Sequence, residues 1–394
     1  MNDYFLADDL SGALDAAAAF HQAGRRVVIA LDAEAWPAVG PNDVVGVTTE
    51  TRNAAPDEAA RVVTQAIARG RARGGRLRYK KIDSTLRGPV AAEVAALLAA
   101  WPEARVLFAP ANPRVGRTVQ AGRLLVRGVP VAETEFGRDP IWPVRESALR
   151  ALLGPAAGPR VVIPDTATEA ELRAAVAEME AEAGPWVPVG SGALARAVES
   201  GPQSAGPAAS GLPEENRRAA AAGLAARGAE ETPRVPPRGP VVMIGGSAHP
   251  GNRVQAARLT AGRGVPVCEV EVTDGERTVS AALAALREYG GVSLMAPGVR
   301  MAATEALRAT VAVSQQVLAR GEVARVFVTG GETAFALARA LGVSAFEFRA
   351  EIEAGLALAR SGEGVSRRWW AVKPGGFGDA ETWVRAWDAL KGVE

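Results

Sequence analysis

Two adjacent carboxylates follow the first apolar run of the chain. In the segment ADDLSGA at 7–13, Asp8 and Asp9 come directly after strand-like residues and directly before a small Ser-Gly turn. Carboxylates in this position can bind a metal, accept hydrogen bonds from substrate hydroxyls or remove a proton. The alternative is a plain helix cap, but a cap uses one carboxylate and this turn has two. The pair therefore indicates a ligand site.

Charged side chains also end the third and fourth strand-like runs. The third run ends in TTETR with Arg52, and the fourth continues into KKIDSTLRG at 80–88, which carries Lys81, Asp83 and Arg87. A guanidinium beside free backbone N–H groups suits a carboxylate ligand, although surface capping is the alternative. Ligands of open parallel sheets bind beyond the carboxyl ends of the strands. We therefore expect these side chains to lie near the aspartate pair.

The fifth run opens into PANPRVGRTVQAG at 110–122. Its prolines fix the path of the chain, its glycines allow close backbone approach, and Arg114 and Arg117 supply positive charge. The alternative is a solvated loop without a binding role, and this alternative applies more to Arg114 than to Arg117. We keep Arg117 as a candidate binding residue.

Three glycine turns follow strand-like runs near the C-terminus. They read GGSAHPGN at 245–252, TGGETA at 329–334 and KPGGFGD at 373–379. Each turn alone is a weak signal, since glycine turns are common. Three of them in about 150 residues indicate backbone amides gathered around phosphate groups.

Elements of alternating type must position these residues. Short β-branched runs alternate with Ala/Leu/Arg/Glu-rich stretches of helical spacing, such as 56–69 and 89–100, and this pattern is typical of parallel α/β sheets. Residues 122–134 instead predict two short strands around Arg127 and Gly128. The main predicted strands lie at 3–7, 26–31, 43–48, 77–82, 105–109, 161–164, 186–190, 240–244, 265–272, 291–296, 323–329 and 369–373.

A change of composition divides the chain. Residues 200–239 are dominated by Pro, Gly, Ala and Ser, which is typical of a linker. We predict one α/β domain at 1–199 and a second at 240–394, with the linker between them. Each would be a mostly parallel sheet flanked by helices, with a ligand cleft between the two.

Composition excludes several classes of protein. Of 394 residues, 48% are hydrophobic and 23% charged, and 45 basic residues balance 44 acidic ones, so we expect a globular enzyme with no nucleic-acid partner. One cysteine and two histidines argue against a disulfide framework or a multi-His metal centre. Neither a signal peptide nor a membrane span is visible, which predicts a cytoplasmic protein.

Familiar nucleotide motifs are absent or weak. No lysine is preceded by glycine, so the P-loop motif does not occur, and the protein-kinase motifs are also missing. GSGALA at 190–195 does fit a dinucleotide-binding pattern, and it keeps an NAD-dependent oxidoreductase of a small hydroxy acid as an alternative. The acid this pattern requires about 20 residues on would fall in the linker.

Longer motifs give the chain a family likeness that covers nearly its whole length. In them the sequence resembles the four-carbon acid sugar kinases, which include threonate, erythronate and 3-oxo-tetronate kinases. Ser11 departs from the threonine usual in the first motif but keeps the hydroxyl. The motifs are ADDLSGA at 7–13, KIDSTLRG at 81–88, PANPRVGRT at 110–118, DPIWPVRES at 139–147, the turn at Ser247, GGETA at 330–334 and KPGGFG at 373–378.

The resemblance implies an ATP-dependent kinase that phosphorylates a terminal hydroxyl of a short sugar acid, with Mg²⁺ on the phosphates. It implies that the domain at 1–199 binds the substrate and the domain at 240–394 binds ATP. It leaves the particular acid, the choice of base between Asp8 and Asp9, and the metal ligands open. A homo-oligomer is compatible with it, and a non-catalytic binding protein of the same fold is a further alternative. The acid-binding positions it implies are Asp8, Asp9, Lys81, Asp83, Arg87 and Arg117. The ATP-binding positions it implies are Ser247, Gly330, Gly331, Glu332, Thr333 and Gly375.

Overall fold

The computed structural model describes residues 2–34, 36–200, 239–247, 249–297, 302–362 and 367–392. The predicted linker, apart from its two end residues, lies outside this part of the chain. We call residues 2–200 the N-terminal half and residues 239–392 the C-terminal half. The predicted α/β class, a large mostly parallel sheet flanked by helices, is confirmed. In the described part of the chain, no helix has the length and apolar character needed to cross a bilayer.

The strands and helices alternate through most of the chain. The strands are β1 Asp3–Ala7, β2 Val27–Ala30, β3 Val44–Thr48, β4 Arg76–Lys81, β5 Arg105–Ala109, β6 Arg117–Gln120, β7 Arg123–Val126, β8 Val129–Pro130, β9 Val161–Val162, β10 Trp186–Gly190, β11 Val241–Gly245, β12 Val267–Glu269, β13 Gly291–Met295, β14 Arg325–Thr329, β15 Ala345–Glu353, β16 Leu356–Ser361 and β17 Arg368–Lys373. The helices are α1 Leu10–Gln22, α2 Pro56–Ala72, α3 Val90–Ala100, α4 Leu149–Leu153, α5 Glu169–Ala181, α6 Gly192–Ser200, α7 Pro250–Arg263, α8 Gly275–Tyr289, α9 Ala303–Arg320, α10 Gly331–Ala340 and α11 Thr382–Lys391.

One sheet runs through both halves. Within the described residues it has 14 strands in the order β12-β13-β11-β14-β17-β16-β15-β2-β3-β1-β4-β10-β5-β9. Apart from β15 and β16, neighbouring strands of this sheet are parallel within each half. The antiparallel hairpin β15–β16 joins the two sets, because β16 pairs with β17 and β15 pairs with β2, with Ala345 opposite Ala30. The sequence did not predict this hairpin. As a result, the two halves share a continuous backbone hydrogen-bond network.

Apolar packing also crosses between the halves. A single buried cluster includes Phe5 and Phe20 of the N-terminal half together with Phe346 and Trp370 of the C-terminal half. The rings of Phe346 and Trp370 meet edge to face at 5.2 Å between centroids. Burial of such large rings is a major stabilising contribution, so the relative position of the halves is fixed by the core and by the sheet.

Helix α1 is buried on nearly every side. Its sequence is rich in alanine, and Ala16 to Ala19 are all buried. Small side chains let the helix lie close to several elements at once, and it contacts β15, α6 and α10. The residues at its N-terminus are therefore held where the two halves meet.

A small antiparallel sheet extends from the N-terminal half. Strands β6, β7 and β8 form it, and the predicted turn at Arg127 and Gly128 has positive φ at both residues, 50° and 81°. Left-handed backbone at both central positions is what a tight hairpin requires. The Arg117 guanidinium of this extension donates to the Ser84 hydroxyl just beyond β4, and the Phe136 ring that follows the extension lies 5.7 Å from the Arg87 guanidinium carbon.

Candidate active site

Arg52 holds both aspartates of the first turn. Its Nε and Nη2 donate to the Asp8 carboxylate at 3.0 and 2.9 Å, and its Nη1 donates to Asp9 Oδ2 at 2.6 Å. Burial alone would raise the pKa of Asp8, but Arg52, with Lys80 and Lys81, holds that pKa below its ordinary value. Asp8 is therefore a carboxylate at neutral pH. Arg52 lies at the strand-end edge where we expected it, but its contact with both aspartates was not predicted.

Asp9 is a helix cap and a site residue at the same time. Its Oδ1 accepts a hydrogen bond from the Gly12 N–H at 2.6 Å, which caps α1, and its Oδ2 accepts one from the Ser11 hydroxyl at 2.6 Å. The same Oδ2 faces Gly331 of the C-terminal half, where a β-carbon would lie only 2.6 Å away. Asp9 therefore fits both interpretations of the sequence, as the cap of α1 and as part of a ligand site.

Asp83 and Arg87 form the second ion pair. Arg87 Nε donates to Asp83 Oδ2 at 2.7 Å, and Arg87 Nη1 lies 3.6 Å from Asp139. The Asp83 N–H donates to Asp8 Oδ2 at 3.1 Å, which links this pair to the first one. Burial opposes the charge, but Arg87 and Arg52 hold the pKa of Asp83 well below its ordinary value.

Arg117 and Lys81 complete this group. Arg117 Nη1 donates to the Ser84 hydroxyl, and its guanidinium carbon lies 5.6 Å from the Phe136 ring and 5.5 Å from the Phe377 ring of the C-terminal half. Lys81 Nζ lies 3.5 Å from Asp15 on α1. The six predicted acid-binding positions are thus brought together with Arg52. We call this set the acceptor cluster: Asp8, Asp9, Arg52, Lys81, Asp83, Arg87 and Arg117.

A buried ion pair lies behind the acceptor cluster. Lys80 Nζ is 3.0 Å from Glu93, their side chains are 1% and 2% exposed, and the Thr51 hydroxyl donates to Glu93. Charges this deep are stable only when paired. Sequence reasoning missed both, although two consecutive lysines in a chain with four lysines in all were a usable signal.

The three glycine turns meet at the end of the C-terminal strands. A β-carbon at Gly375 would lie 2.7 Å from Ser247 Cβ, and one at Gly330 would lie 3.7 Å from the same atom. The Gly330 N–H donates to the Lys373 carbonyl at 2.9 Å, and Gly330 has a φ of 94° that suits glycine. Helix α10 begins directly after it, so free amides point to this place.

Lys373 forms hydrogen bonds with both the first and the third glycine turn. Its Nζ donates to Asn252 Oδ1 at 3.0 Å and to the carbonyls of Gly375 and Phe377 at 3.1 and 3.0 Å. Asn252 Nδ2 in turn donates to the Ser247 carbonyl at 3.1 Å. Burial lowers the pKa of Lys373 to about 8. No role was predicted for this lysine from the sequence.

The remaining predicted nucleotide positions surround the same turns. Glu332 is exposed on the first turn of α10, and Thr333 is buried against Gly246. His249 caps α7, where its Nδ1 accepts a hydrogen bond from the Gly251 N–H at 3.1 Å.

Packing explains the glycines of GSGALA at 190–195. A β-carbon at Gly190 would overlap the Ala109 carbonyl, and one at Gly192 would overlap the Asp15 carboxylate. The space a dinucleotide would need beside these glycines is filled by β5 and α1. The oxidoreductase alternative therefore finds no support here.

A metal cage made by the protein alone is not present in the described parts of the chain, where no three His, Cys, Asp or Glu side chains gather in a way that could hold an ion. Mg²⁺ commonly binds through substrate phosphates, water and only one or two carboxylates. The predicted Mg²⁺ would accordingly depend on the nucleotide for most of its ligands.

Comparison with known proteins decides the family. Over 98% of this chain and 96% of the relative, the sequence is 35% identical to D-threonate kinase of Bordetella bronchiseptica. The chain belongs to the four-carbon acid sugar kinase family. It is also 32% identical to 3-oxo-tetronate kinase of Methylobacterium radiotolerans over 98% of both chains, and 34% identical to D-erythronate kinase of Heliobacterium modesticaldum over 37% of this chain and 34% of that one.

Two domain models agree with this family membership, and a solved structure shares the fold. Residues 4–158 match a sugar-binding N-terminal domain, and residues 242–383 match a nucleotide-binding C-terminal domain. A Salmonella typhimurium structure titled as a putative tRNA synthase superimposes with a TM-score of 0.75 at 23% identity, covering 98% of each chain. At that identity the likeness shows the fold alone.

Proposed function

We propose that this protein transfers the terminal phosphoryl group of ATP to a hydroxyl of a four-carbon sugar acid. The observation that carries the proposal is the contact between Asp9 and Gly331, where a β-carbon on the glycine would lie 2.6 Å from the carboxylate. It brings the acceptor cluster directly against a glycine turn suited to phosphate. The names of the full-length relatives support the same activity.

The acceptor cluster has the groups a hydroxy acid needs. Arg87 and Arg117 are half-buried cations that suit the carboxylate, and Lys81 adds positive charge nearby. Asp8 and Asp9, fixed by one arginine, would orient the hydroxyls, and they are the sequence-based candidates for the base. Positioning of this kind accounts for most of the rate in phosphoryl transfer.

The glycine turns would hold ATP without a P-loop. Gly330 and Gly375 lie beside Ser247. Because the Gly330 N–H already donates to the Lys373 carbonyl, the amides that would hold phosphate oxygens are those of Gly375 and of the α10 N-terminus at Gly331, where the helix dipole is positive. Thr333 and the exposed Glu332 lie on the same helix turn, where they would contact ribose or phosphate. Mg²⁺ would neutralise charge on the phosphates.

The division of labour follows the predicted boundaries. We infer that residues 1–199 bind the acid and residues 240–394 bind ATP, with 200–239 between them. The two domain models lie on either side of that segment, which supports this division.

A non-catalytic protein would have no need of the acceptor cluster and the glycine turns together. The homo-oligomer stays a prediction from the sequence.

The reaction product tests the proposal. The full-length protein is incubated with ATP, Mg²⁺ and D-threonate, D-erythronate or 3-oxo-tetronate, and the products are followed by ³¹P NMR. We expect ADP and a phosphate monoester on a carbon-bound hydroxyl. An acyl phosphate on the carboxylate, or ATP left intact with every acid, would contradict it.

A further inference from the structure

Nearly every carboxylate around the acceptor cluster is neutralised by a cation. Glu50 is different, because no lysine or arginine among the described residues lies within ion-pair distance of it. An arginine-bound carboxylate is a weak proton acceptor, since the cation stabilises its ionised form. The paired groups are Asp8 and Asp9 with Arg52, Asp83 and Asp139 with Arg87, Asp15 with Lys81 and Glu93 with Lys80.

The backbone of Glu50 is held in an unusual conformation. Its φ is 50°, in the left-handed region that residues other than glycine seldom adopt. It lies two residues beyond β3 and two before Arg52, and the Thr48 hydroxyl donates a hydrogen bond to Glu50 Oε1. The second carboxyl oxygen accepts no hydrogen bond from the described residues. Strained backbone of this kind is concentrated at functional sites.

Two carboxylates and one guanidinium are the charged groups around Glu50. Asp8 and Asp9 face it from the turn between β1 and α1, and Arg52 and Thr48 face it from its own segment. Burial, then Asp9, raises the pKa of Glu50 to about 8 against the opposing effect of Thr48 and Arg52. A general base works best when its pKa lies near the working pH. The pKa values of Asp8 and Asp83 are instead lowered.

The position of Glu50 also suits proton removal. Glu50 lies between Thr49, whose N–H donates to the Ala7 carbonyl at 2.8 Å, and Arg52, whose N–H donates to the Asp8 carbonyl at 3.2 Å, so its segment packs against the turn that carries Asp8 and Asp9. Asp9 is the aspartate that faces Gly331 and the glycine turns. The γ-phosphate of ATP would lie on that side of the acceptor cluster. Of the proposed carboxylate ligands, Arg87 follows β4 and Arg117 begins β6.

We propose that Glu50 is the general base of the kinase reaction, a role that rests on the proposed function. Its carboxylate takes the proton of the acceptor hydroxyl as that oxygen bonds to the γ-phosphorus. The bond from phosphorus to the β,γ-bridging oxygen breaks, and ADP leaves with the electron pair. The proton stays on Glu50 until product release returns it to water. Asp8 and Asp9, held by Arg52, position the hydroxyl.

The test compares Glu50→Gln with Glu58→Gln in the full-length protein. Glu58 is an exposed glutamate on α2 paired with Arg61, so its variant is a matched control. With ATP and the acid that wild type turns over, we expect Glu50→Gln to lower kcat by about 10²- to 10⁴-fold. KM for both substrates should change little, and Glu58→Gln should match wild type.

The pH profile separates a base from a structural residue. Wild-type kcat should rise with pH and level off above about 8, and Glu50→Gln should lose that rise. Glu50→Asp keeps a carboxylate, so it should keep the rise at a lower plateau, and it replaces the Gln variant in the test if that variant fails to fold.

Two outcomes separate the claims. Near-normal kcat in Glu50→Gln, or an unchanged rise of its kcat with pH, would overturn the role of Glu50 and leave the kinase activity standing. A loss of the rise in Glu50→Asp would also count against it. If wild type itself phosphorylates none of the acids, the proposed function fails and the role of Glu50 fails with it.

Discussion

The carboxylate of Asp9 lies 2.6 Å from the place where Gly331 would carry a β-carbon. Asp9 is the N-cap of α1 in the N-terminal half, and Gly331 is the first residue of α10 in the C-terminal half. Ser11 Oγ lies 2.9 Å from the same point. Only glycine fits at this junction, so the acceptor cluster and the glycine turn can approach each other directly.

Gly331→Ala should therefore abolish most of the activity. The added methyl group would meet Asp9 and Ser11. Asp9 cannot withdraw without losing the α1 cap or the bond to Arg52, and Ser11 cannot withdraw without losing its hydrogen bond to Asp9. A displacement of about 1 Å is expected to cost on the order of 10²-fold in turnover. Steady-state kcat with ATP and the acid measures the effect.

Gly262→Ala supplies the control for this substitution. Gly262 lies within α7, and a β-carbon there would meet no atom within 4 Å. Alanine is the better helix former, so this variant should keep full activity and equal or higher thermal stability. Equal kcat values in the two variants would show that the Asp9–Gly331 junction is not part of the site.

Lys373→Met should weaken ATP binding. The ammonium group donates to Asn252 and to two carbonyls of the third glycine turn, and methionine fills a similar volume without donating. Loss of hydrogen bonds from a charged donor would raise Kd for ATP by about 10- to 100-fold. Calorimetric titration with ATP measures this, and Lys391→Met, near the C-terminal end of α11, is the comparison. An unchanged Kd would remove Lys373 from the nucleotide site.

Arg87→Gln should affect the acid and spare the nucleotide. If Arg87 binds the carboxylate, its loss removes a charge-assisted bond, and KM for the acid should rise about 10- to 100-fold. KM for ATP should stay near wild type, because Arg87 lies in the N-terminal half. Arg61→Gln, an exposed arginine on α2, serves as the control. A rise in KM for ATP alone would contradict the assignment.

The raised pKa of Glu50 should make the stability of the protein depend on pH. Its pKa is about 8 in the fold against 4.5 as the ordinary value, so the unfolded chain releases this proton first as pH rises. The contribution of Glu50 to the free energy of unfolding is therefore full below pH 4.5 and falls until pH 8. As pH rises from 4.5 to 8, the melting temperature of Glu50→Gln should increase relative to that of wild type, and above pH 8 the difference should stay constant. A constant difference across the range would contradict the raised pKa.

The acceptor cluster could be predicted because strand ends in a parallel sheet meet at one edge. Asp8, Asp83 and Arg87 follow β1 and β4, which are neighbours in the sheet, and their contacts follow from that pairing. The glycine turns converge for the same reason, since β11, β14 and β17 are adjacent. The rule that parallel strands end at one edge led to both expectations, whereas which strands are neighbours was not predicted.

Other features depend on contacts between distant parts of the chain. The segment 345–353 alternates apolar and polar residues as a strand should, but the pairing of β15 with β2 of the other half has no local signal. Likewise, TTETR does not reveal that Arg52 would take two aspartates and leave Glu50 unpaired. From the sequence, Lys373 is only the last residue of a strand. Its hydrogen bonds to the Gly375 and Phe377 carbonyls depend on how the following turn folds.

A coupled assay of ADP release over a panel of four-carbon acids tests the central claim most directly. The full-length protein, shown to be folded and to bind ATP, is mixed with ATP and Mg²⁺ and then with D-threonate, D-erythronate, 3-oxo-tetronate or their stereoisomers. Sugar-acid kinase activity predicts ADP release that requires one of these acids and saturates with its concentration. No acid-dependent ADP release across the whole panel would contradict it.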